Sequence, residues 1–455
     1  MKKFLLLSVL ATLIFGSCST PEKNTSEEKK TVVQEKKASG KDEIIARRFD
    51  TGFKYSRGNY NGISGASDGN IYYVLCSGEL DMGGQLYRYL PATDKIEHLG
   101  DLTEACGEKG MKAIPQGKSH VLFVELNKEL YFATHIDYYE KYNPNKKEVI
   151  ASAPKGYKTY PGGHFVSYNT QTKKFTDYGI GVEGDGILTF AMDTIRKRMY
   201  GITWPHGYVV SYDIASKKKK IYGQYFDKGE VGEGASFQIL TRTMVVDHSD
   251  GSAYFCDQRG NIFQYKYDKD TIEIVSTDSL KRDYFGCAGL DTWRQAIWSN
   301  TDKKLYGGLF NSEYLSTYDP KTGKIELLDR LSTDDALKNG KLAGFGCSLG
   351  MMMGNDGKTI YRFSVNSDKR IDVFFYCNGV LDVYKNHHYC DFHLTSYNIE
   401  TRQRQDHGKI RFSDNVVPQM INSMAIGKDG TFYALAYFNL TDSLTSSDLI
   451  SFKLK

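Results

Sequence analysis

One stretch of the chain, residues 187–223, contains the pattern that decides the fold: ILTFAMDTIRKRMYGITWPHGYVVSYDIASKKKKIYG. It begins with a short apolar run, ILTFAMD, and continues after a polar turn with the tyrosine-centred run RMYGITW. A third run, YVVSYDI, then leads through a second polar turn to KKIYG. Short β-branched and aromatic runs separated by polar turns are typical of antiparallel strands. The stretch therefore predicts a unit of four strands, named a to d in chain order.

The tyrosine-centred run returns along the whole chain, each time after a polar turn. Its tyrosines are Tyr72, Tyr131, Tyr200, Tyr254, Tyr306, Tyr361 and Tyr433, at intervals of 52 to 72 residues. A strand–turn–strand segment follows most copies, as in HFVSYNTQTKKFTDYG (164–179) and HLTSYNIETRQRQDHG (393–408). Seven units of four strands predict an all-β fold, a seven-bladed β-propeller with four-stranded antiparallel blades.

The two ends of this repeat predict how the ring closes. The last copy stops at DLISFKLK (448–455), which is a c strand without a d strand of its own. The strand-like segment EIIARRFDTGF (43–53) can supply the missing strand. Pairing of the terminal strands hides free sheet edges, so we assign residues 43–455 to the propeller.

The first 42 residues have a different character. The basic start MKK and the apolar run FLLLSVLATLIF (4–15) are typical of a secretory signal peptide and too short to span a bilayer. The segment FGSC (15–18) resembles a bacterial lipobox, which predicts signal peptide 1–17 and lipidation of Cys18; a plain signal peptide with an incidental cysteine is the alternative. Residues 18–42 are rich in Lys, Glu, Ser and Thr and predict a disordered tether. We therefore expect an exported, membrane-anchored lipoprotein, either periplasmic or at the outer membrane and cell surface.

The overall composition excludes several classes of protein. Lys and Arg total 59 against 55 Asp and Glu, and this near balance gives no support to a nucleic-acid-binding protein. The 33 Tyr, 24 Phe and 44 Gly fit strands joined by tight turns. The eight cysteines, Cys18 included, form no CxxC pair, which disfavours a thiolate zinc site.

The strand order places two kinds of loop on opposite faces of the propeller. The a–b and c–d turns are short, whereas the d–a and b–c loops are longer and contain His, Tyr, Trp and Arg. Function concentrates in loops that exceed the needs of a turn. The candidate catalytic residues on that face are His120, His135, Tyr160, His164 and His206. The candidate substrate-binding residues are Tyr139, Trp204, Arg242, Trp293 and Arg294.

These residue types favour β-elimination on a uronic acid over hydrolysis. A glycosidase needs two flanking carboxylates, and the acids in suitable loops form no clear pair. Those acids are Asp137, Glu183, Asp185 and Glu233. Elimination needs Arg or a metal at the sugar carboxylate, and His or Tyr to move protons.

The same histidines leave metal binding open. A histidine cluster could hold Mn²⁺, Zn²⁺ or Ca²⁺ with help from acids. A second candidate metal site consists of His387, His388, Asp391 and His393, for which a solvated loop is the favoured alternative.

The chain resembles the secreted β-propeller polysaccharide lyases, the group that includes oligogalacturonate, ulvan and rhamnose–glucuronate lyases. The resemblance covers roughly residues 55–455 and rests on the repeat, the leader and the motifs FATH (132–135), YPGGH (160–164) and TWPHG (203–207). It implies cleavage of a uronic-acid-containing glycan, a His or Tyr base, an Arg partner and sometimes a divalent metal. The clustered metal-binding histidines expected of an oligogalacturonate lyase have no match here. A non-catalytic glycan- or protein-binding propeller and an atypical glycoside hydrolase remain alternatives.

Overall fold

A computed structural model confirms the predicted all-β class. The structure describes residues 43–139, 153–280, 292–309, 314–338, 350–366, 374–377, 380–383, 391–441 and 444–454. All of them belong to one compact unit, Lys41–Lys455. The predicted signal peptide, the tether and Cys18 lie outside the described residues, as do His387 and His388. None of the helices in the described ranges has the length and apolarity needed to cross a bilayer.

Three four-stranded sheets follow one another in the first half of the described chain. The first contains β2 (Gly58–Gly65), β3 (Ile71–Cys76), β4 (Gln85–Leu90) and β5 (Lys95–Asp101). The second contains β6 (Val124–Leu126), β7 (Glu129–Ala133), β8 (His164–Asn169) and β9 (Lys174–Ile180). The third contains β10 (Gly186–Asp193), β11 (Arg198–Trp204), β12 (Tyr208–Asp213) and β13 (Lys218–Gln224). In each sheet the strands pair antiparallel in chain order, as predicted for strands a to d.

The second half continues the same pattern. The fourth sheet contains β14 (Val245–Asp247), β15 (Ser252–Cys256), β16 (Ile262–Lys266) and β17 (Thr271–Ile274). The fifth contains β18 (Trp293–Ser299), β19 (Lys304–Leu309), β20 (Tyr314–Asp319) and β21 (Lys324–Arg330). Short helices α1 (Leu102–Ala105) and α2 (Asp334–Lys338) and the 3₁₀ turns Gly229–Val231 and Gly234–Ser236 lie between sheets.

The last sheet joins the two ends of the described chain. Its order is β22 (Met351–Met353), β23 (Thr359–Asn366), β26 (Asp391–Asn398), β27 (Gln403–Phe412), β1 (Ile44–Phe49), β31 (Leu444–Phe452), β30 (Phe432–Thr441) and β28 (Pro418–Ile421), with β29 (Ala425–Ile426) on β30. Strand β1 pairs antiparallel with β31, where Arg47 faces Ser451, and parallel with β27. Strands β24 (Phe374–Cys377) and β25 (Val380–Val383) form a separate two-stranded sheet.

In the first and fifth sheets the recurring tyrosine of strand b hydrogen-bonds to its own a–b turn. Tyr72 is buried, and its hydroxyl donates to Asp68 Oδ2 at 2.8 Å. Tyr306 is likewise buried and donates to Asp302 Oδ2 at 2.5 Å. Each pair spans four residues, so the ring fills the core while its hydroxyl is satisfied by the turn. In these two sheets tyrosine therefore does what phenylalanine could not, since its hydroxyl also holds the turn.

The first strands of successive sheets lie beside one another. Thr189 Oγ1 on β10 donates to the Thr241 carbonyl at 2.8 Å, just before β14. Gln295 Oε1 on β18 accepts from the Met351 N–H of β22 at 3.0 Å. Aromatic cores fill the space between sheets; Phe165 of the second sheet, for example, packs on Phe190 of the third. This is the arrangement of a β-propeller, and it brings the ends of the b strands and the starts of the a strands to one face.

Candidate functional site

Two of the predicted histidines meet on this face. His120 precedes β6 and His135 follows β7, and their ring centres are 5.9 Å apart. His135 Nδ1 lies 2.7 Å from the Ile136 carbonyl oxygen, which can only accept, so Nδ1 carries the proton and Nε2 keeps a lone pair. His135 Nε2 and His120 Nδ1 are both buried, and neither has a hydrogen-bond partner among the described residues.

Both histidines are held in their neutral form. Burial lowers the pKa of each well below its usual range, since the interior disfavours the charged imidazolium. The charge of Lys118 lowers both pKa values further, as does that of Arg242, and Arg294 adds to the effect on His120. The predicted pair therefore offers uncharged imidazoles in a positively charged surrounding.

Lys118 is the member of this site that the sequence reasoning missed. Its side chain is only 1% exposed. The ammonium Nζ lies 3.9 Å from the ring centre of Tyr60 and 4.1 Å from that of Tyr138. Backbone hydrogen bonds in both directions join Lys118 to His135. The sequence offered one signal for Lys118: it lies two residues before His120, and a charged neighbour shifts the pKa of a candidate base. Lys118, His120 and His135 are called the histidine cluster below.

Aromatic rings extend from the histidine cluster in both directions. On one side, the ring centre of Tyr60 lies 5.2 Å from that of His120 and 6.0 Å from that of Tyr138. Tyr138 is 40% exposed. On the other side, the ring centres of Trp204 and His135 are 5.5 Å apart. Rings in such a row provide faces on which a sugar can stack, and Tyr138 makes one of them accessible from solvent.

The predicted carboxylate-binding Arg242 is already paired with an acid. Its Nη1 lies 2.7 Å from Glu230 Oε1 and also donates to the Leu240 carbonyl. Burial opposes the charge on Glu230, but Arg242 and hydrogen bonds from the Leu240 N–H and Trp204 Nε1 outweigh it and lower the pKa of Glu230. Arg242 thus contributes a positive field that Glu230 partly cancels.

His206 forms a second, more exposed centre. It lies between β11 and β12, and its Nδ1 is 2.6 Å from Asp185 Oδ1. Asp185 is 1% exposed and also accepts from Thr203 Oγ1 at 2.7 Å, whereas the His206 side chain is 41% exposed. A carboxylate at Nδ1 fixes the tautomer and directs Nε2 outward, the arrangement of a general base or acid.

His164 lies in a different environment, between two carboxylates. Its Nδ1 is 2.8 Å from Asp177 and its Nε2 is 3.0 Å from Glu108. Burial opposes the charge, but the hydrogen bonds to Asp177, Cys106 and Glu108 prevail and raise the pKa of His164 to about 12. A ring that donates from both nitrogens has no lone pair with which to accept a proton.

Three atoms of this environment lie close enough to suggest a metal site. One ligand atom each of Cys106, His164 and Asp177 lies within 4.8 Å of the others. A metal would need a thiolate and an imidazole lone pair. Burial raises the pKa of the Cys106 thiol, and both nitrogens of His164 are engaged by Asp177 and Glu108. As arranged, these residues do not fit a metal ion.

The described half of the second candidate metal site has the same character. His393 Nδ1 is bonded to Asp406 at 2.9 Å, and Asp391 is paired with Lys409. Each potential ligand thus already has a partner within the sheet.

Three of the remaining predicted residues are buried. Tyr139 and Tyr160 are 1% and 2% exposed, and burial raises the pKa of each well above its usual range. Tyr160 donates to Gln116 Oε1 at 2.7 Å and Tyr139 to the Pro115 carbonyl at 3.3 Å. Trp293 is 1% exposed and donates to Ser316 Oγ at 3.2 Å. None of these three rings presents a face to solvent in this conformation.

Comparison with known proteins bears on the fold. No protein-family model matches the chain, and no curated protein does. Among solved structures, a GH74 enzyme of Niastella koreensis is 13% identical over 86% of this chain and 54% of its own, with a TM-score of 0.50. An extracellular domain from B. thetaiotaomicron, assigned to a hybrid two-component system, is 12% identical over 89% and 39%, with a TM-score of 0.48. An oligogalacturonate lyase in complex with manganese is 9% identical over 88% and 90%, with a TM-score of 0.46.

These likenesses concern the fold alone. The chain spans less than two thirds of the GH74 enzyme and of the B. thetaiotaomicron domain. The match to the GH74 enzyme shows a shared fold, and at 13% identity it carries no activity with it. The class that fold and site define is a β-propeller with a buried, positively charged histidine cluster and an exposed His–Asp pair on one face.

Proposed function

We propose that this protein is a lyase that cleaves a uronic-acid-containing polysaccharide or oligosaccharide by β-elimination. The observation that carries the proposal is the state of His135. Its Nε2 keeps a lone pair without a partner among the described residues, and it is surrounded by the positive charges of Lys118 and Arg242. Elimination on a uronic acid needs a neutral base beside groups that stabilise a developing negative charge.

The proposed reaction assigns one proton transfer to each centre. His135 Nε2, with His120 beside it, takes the proton from C5 of the sugar. The electrons of that bond form the C4–C5 double bond while the bond between C4 and the leaving oxygen breaks. His206, in its imidazolium form with Nδ1–H held by Asp185, then delivers its Nε2 proton to the leaving oxygen and becomes neutral. Trp204 and the exposed Tyr138 provide stacking faces along the substrate.

The architecture and location complete the proposal. We infer that the sheets form a seven-bladed ring closed by β1, because β1 pairs with β31 and Asn422 Nδ2 donates to the Asn59 carbonyl at 2.9 Å. We propose export as a lipoprotein with signal peptide 1–17, tether 18–42 and a membrane anchor at Cys18. A divalent metal has no role in the proposed steps, since the candidate ligands His164, His393 and Asp391 are already engaged by other side chains.

An atypical glycoside hydrolase is the second candidate. The observation in its favour is the exposed His206–Asp185 pair, which could activate a water molecule without a second carboxylate. Its product would have a new reducing end and no double bond.

The test is a chemical analysis of products. Purified residues 40–455 are incubated with a panel of uronic-acid glycans, and ultraviolet absorbance of the unsaturated product is followed. We expect a rise with at least one glycan, its loss in His135→Ala, and its retention in His248→Ala, a partly exposed histidine outside the site. A new reducing end without absorbance would favour the hydrolase, and binding without any product would favour a non-catalytic glycan-binding propeller.

A further inference from the structure

Lys118 is a buried cation whose described neighbours are aromatic rings. It is 1% exposed, and its ammonium lies over the faces of Tyr60 and Tyr138. No carboxylate of the described residues lies within ion-pair distance of it. An aromatic face attracts a cation but supplies no hydrogen-bond acceptor comparable to an oxygen, so the two rings do not replace a carboxylate partner. A buried charge in this condition is costly unless a ligand completes it.

Two other cations of the described chain that are largely buried have acidic partners. Arg242 is paired with Glu230, and Arg404 with Asp334. Their side chains are 13% and 15% exposed. Lys118 is more deeply buried than either, and no carboxylate of the described residues takes the place of their acidic partners.

The atoms around Lys118 point to the chemistry of the missing partner. His135 Nε2 and His120 Nδ1 are also buried without a partner among the described residues. Tyr138, on the outer side of the ammonium, is 40% exposed and borders solvent. The arrangement combines a cation, polar nitrogen atoms and an accessible ring face. A sugar that carries a carboxylate matches all three.

We propose that Lys118 binds the substrate carboxylate directly, with the sugar ring against Tyr138, and that it selects acidic over neutral sugars. The identity of the ligand as a uronic acid rests on the proposed function, but binding does not require turnover. The role that the sequence suggested for Arg242 and Arg294 is thereby assigned to a different residue. Arg242, paired with Glu230, contributes at longer range.

Binding of single sugars tests this assignment without relying on catalysis. The full chain is examined by ligand-observed saturation-transfer NMR with D-glucuronate, D-galacturonate, D-glucose and D-galactose as probes. We expect at least one uronate to bind and its neutral counterpart to bind at least 10-fold more weakly. In Lys118→Met the affinity for that uronate should fall at least 10-fold. The matched control is Lys112→Met, since Lys112 also lies over a tyrosine ring, Tyr157 at 5.3 Å, but is exposed and paired with Asp81.

The outcomes separate this assignment from the proposed reaction. Wild-type uronate affinity in Lys118→Met, equal loss in Lys112→Met, or no uronate binding by the wild type would each overturn it. If Lys118→Met does not fold, Lys118→Gln is measured in the same way and judged by the same outcomes. Lys118-dependent binding without any unsaturated product would refute the lyase and leave the binding role intact. Unsaturated product formed by Lys118→Met with an unchanged KM would refute the binding role and leave the lyase intact.

Discussion

The buried carboxylate of Asp185 lies 2.6 Å from Nδ1 of His206, an imidazole whose side chain is 41% exposed. Thr203 donates to the second carboxylate oxygen of Asp185, so the acid is fixed on both sides. His206 therefore presents Nε2 to solvent in a defined direction. In the proposed reaction this nitrogen serves the leaving oxygen, while the buried His135 serves the C5 proton.

We expect Asp185→Asn to lower kcat by roughly 100-fold or more, because an amide does not orient and stabilise the His206 imidazolium as a carboxylate does. KM should change little, since neither side chain is assigned to binding. Steady-state kinetics on the glycan that gives unsaturated product measure both. The matched control is Asp177→Asn, which alters another His–Asp pair at 2.8 Å that we place outside the reaction. An equal loss of kcat in the two variants would contradict the assignment.

The His164–Asp177 pair has counterparts in other sheets of the repeat. A residue at or near the start of strand c and a residue of strand d, 13 positions later, form a hydrogen-bonded cross-strand pair in three sheets. The pairs are Gln85 with His98, His164 with Asp177 and His393 with Asp406. A side-chain contact that recurs at one register position is explained by cross-strand pairing within the sheet. Aligning the copies of the repeat would have revealed it from the sequence.

We therefore expect His164→Ala to destabilise the fold. The change leaves Glu108, 6% exposed, and Asp177 without their cationic partner, and removing one member of a buried ion pair costs about 3–5 kcal/mol. Urea unfolding at neutral pH measures the loss, and kcat of the folded fraction should be unchanged. If His164→Ala had wild-type stability and no turnover, the structural role would be contradicted and His164 would be a catalytic residue.

What the sequence could predict follows from which contacts are local. Tyr72 and Tyr306 each lie four residues after the aspartate of their a–b turn, so the repeat can be recognised as a short pattern in the sequence. His120, His135 and Trp204 were predicted from loop positions within that repeat. The burial of Lys118 under Tyr60 and the pairing of Arg242 depend on packing between sheets, which no short pattern encodes. The burial of Trp293 between sheets and of Tyr160 in a cluster of apolar loop residues likewise depends on long-range packing.

The stability of the protein should fall as the pH is lowered below about 6.5. The folded pKa values of His120 and His135 lie well below that unfolded value, so the unfolded chain binds more protons in this range. Each histidine then contributes a slope of about 1.4 kcal/mol per pH unit until its folded pKa is reached. His164, whose folded pKa is raised, loses its contribution above pH 6.5 instead. Urea unfolding between pH 6.5 and 5.5 should show a smaller slope in His120→Gln and in His135→Gln than in the wild type.

Replacing Lys118 should also change the proton affinity of the neighbouring base. Burial is the largest cause of the low pKa of His135, and the positive charge of Lys118 is the next. Lys118→Met removes the second contribution, while burial and Arg242 remain. The pKa of His135 should therefore rise, although it stays below its usual range. Because the base must be neutral, the acidic limb of the kcat profile should shift to higher pH in Lys118→Met, whatever the loss in affinity. Lys112→Met, which alters an exposed lysine, should leave the limb in place. A limb that does not move in Lys118→Met would mean that the group titrating in kcat is not His135.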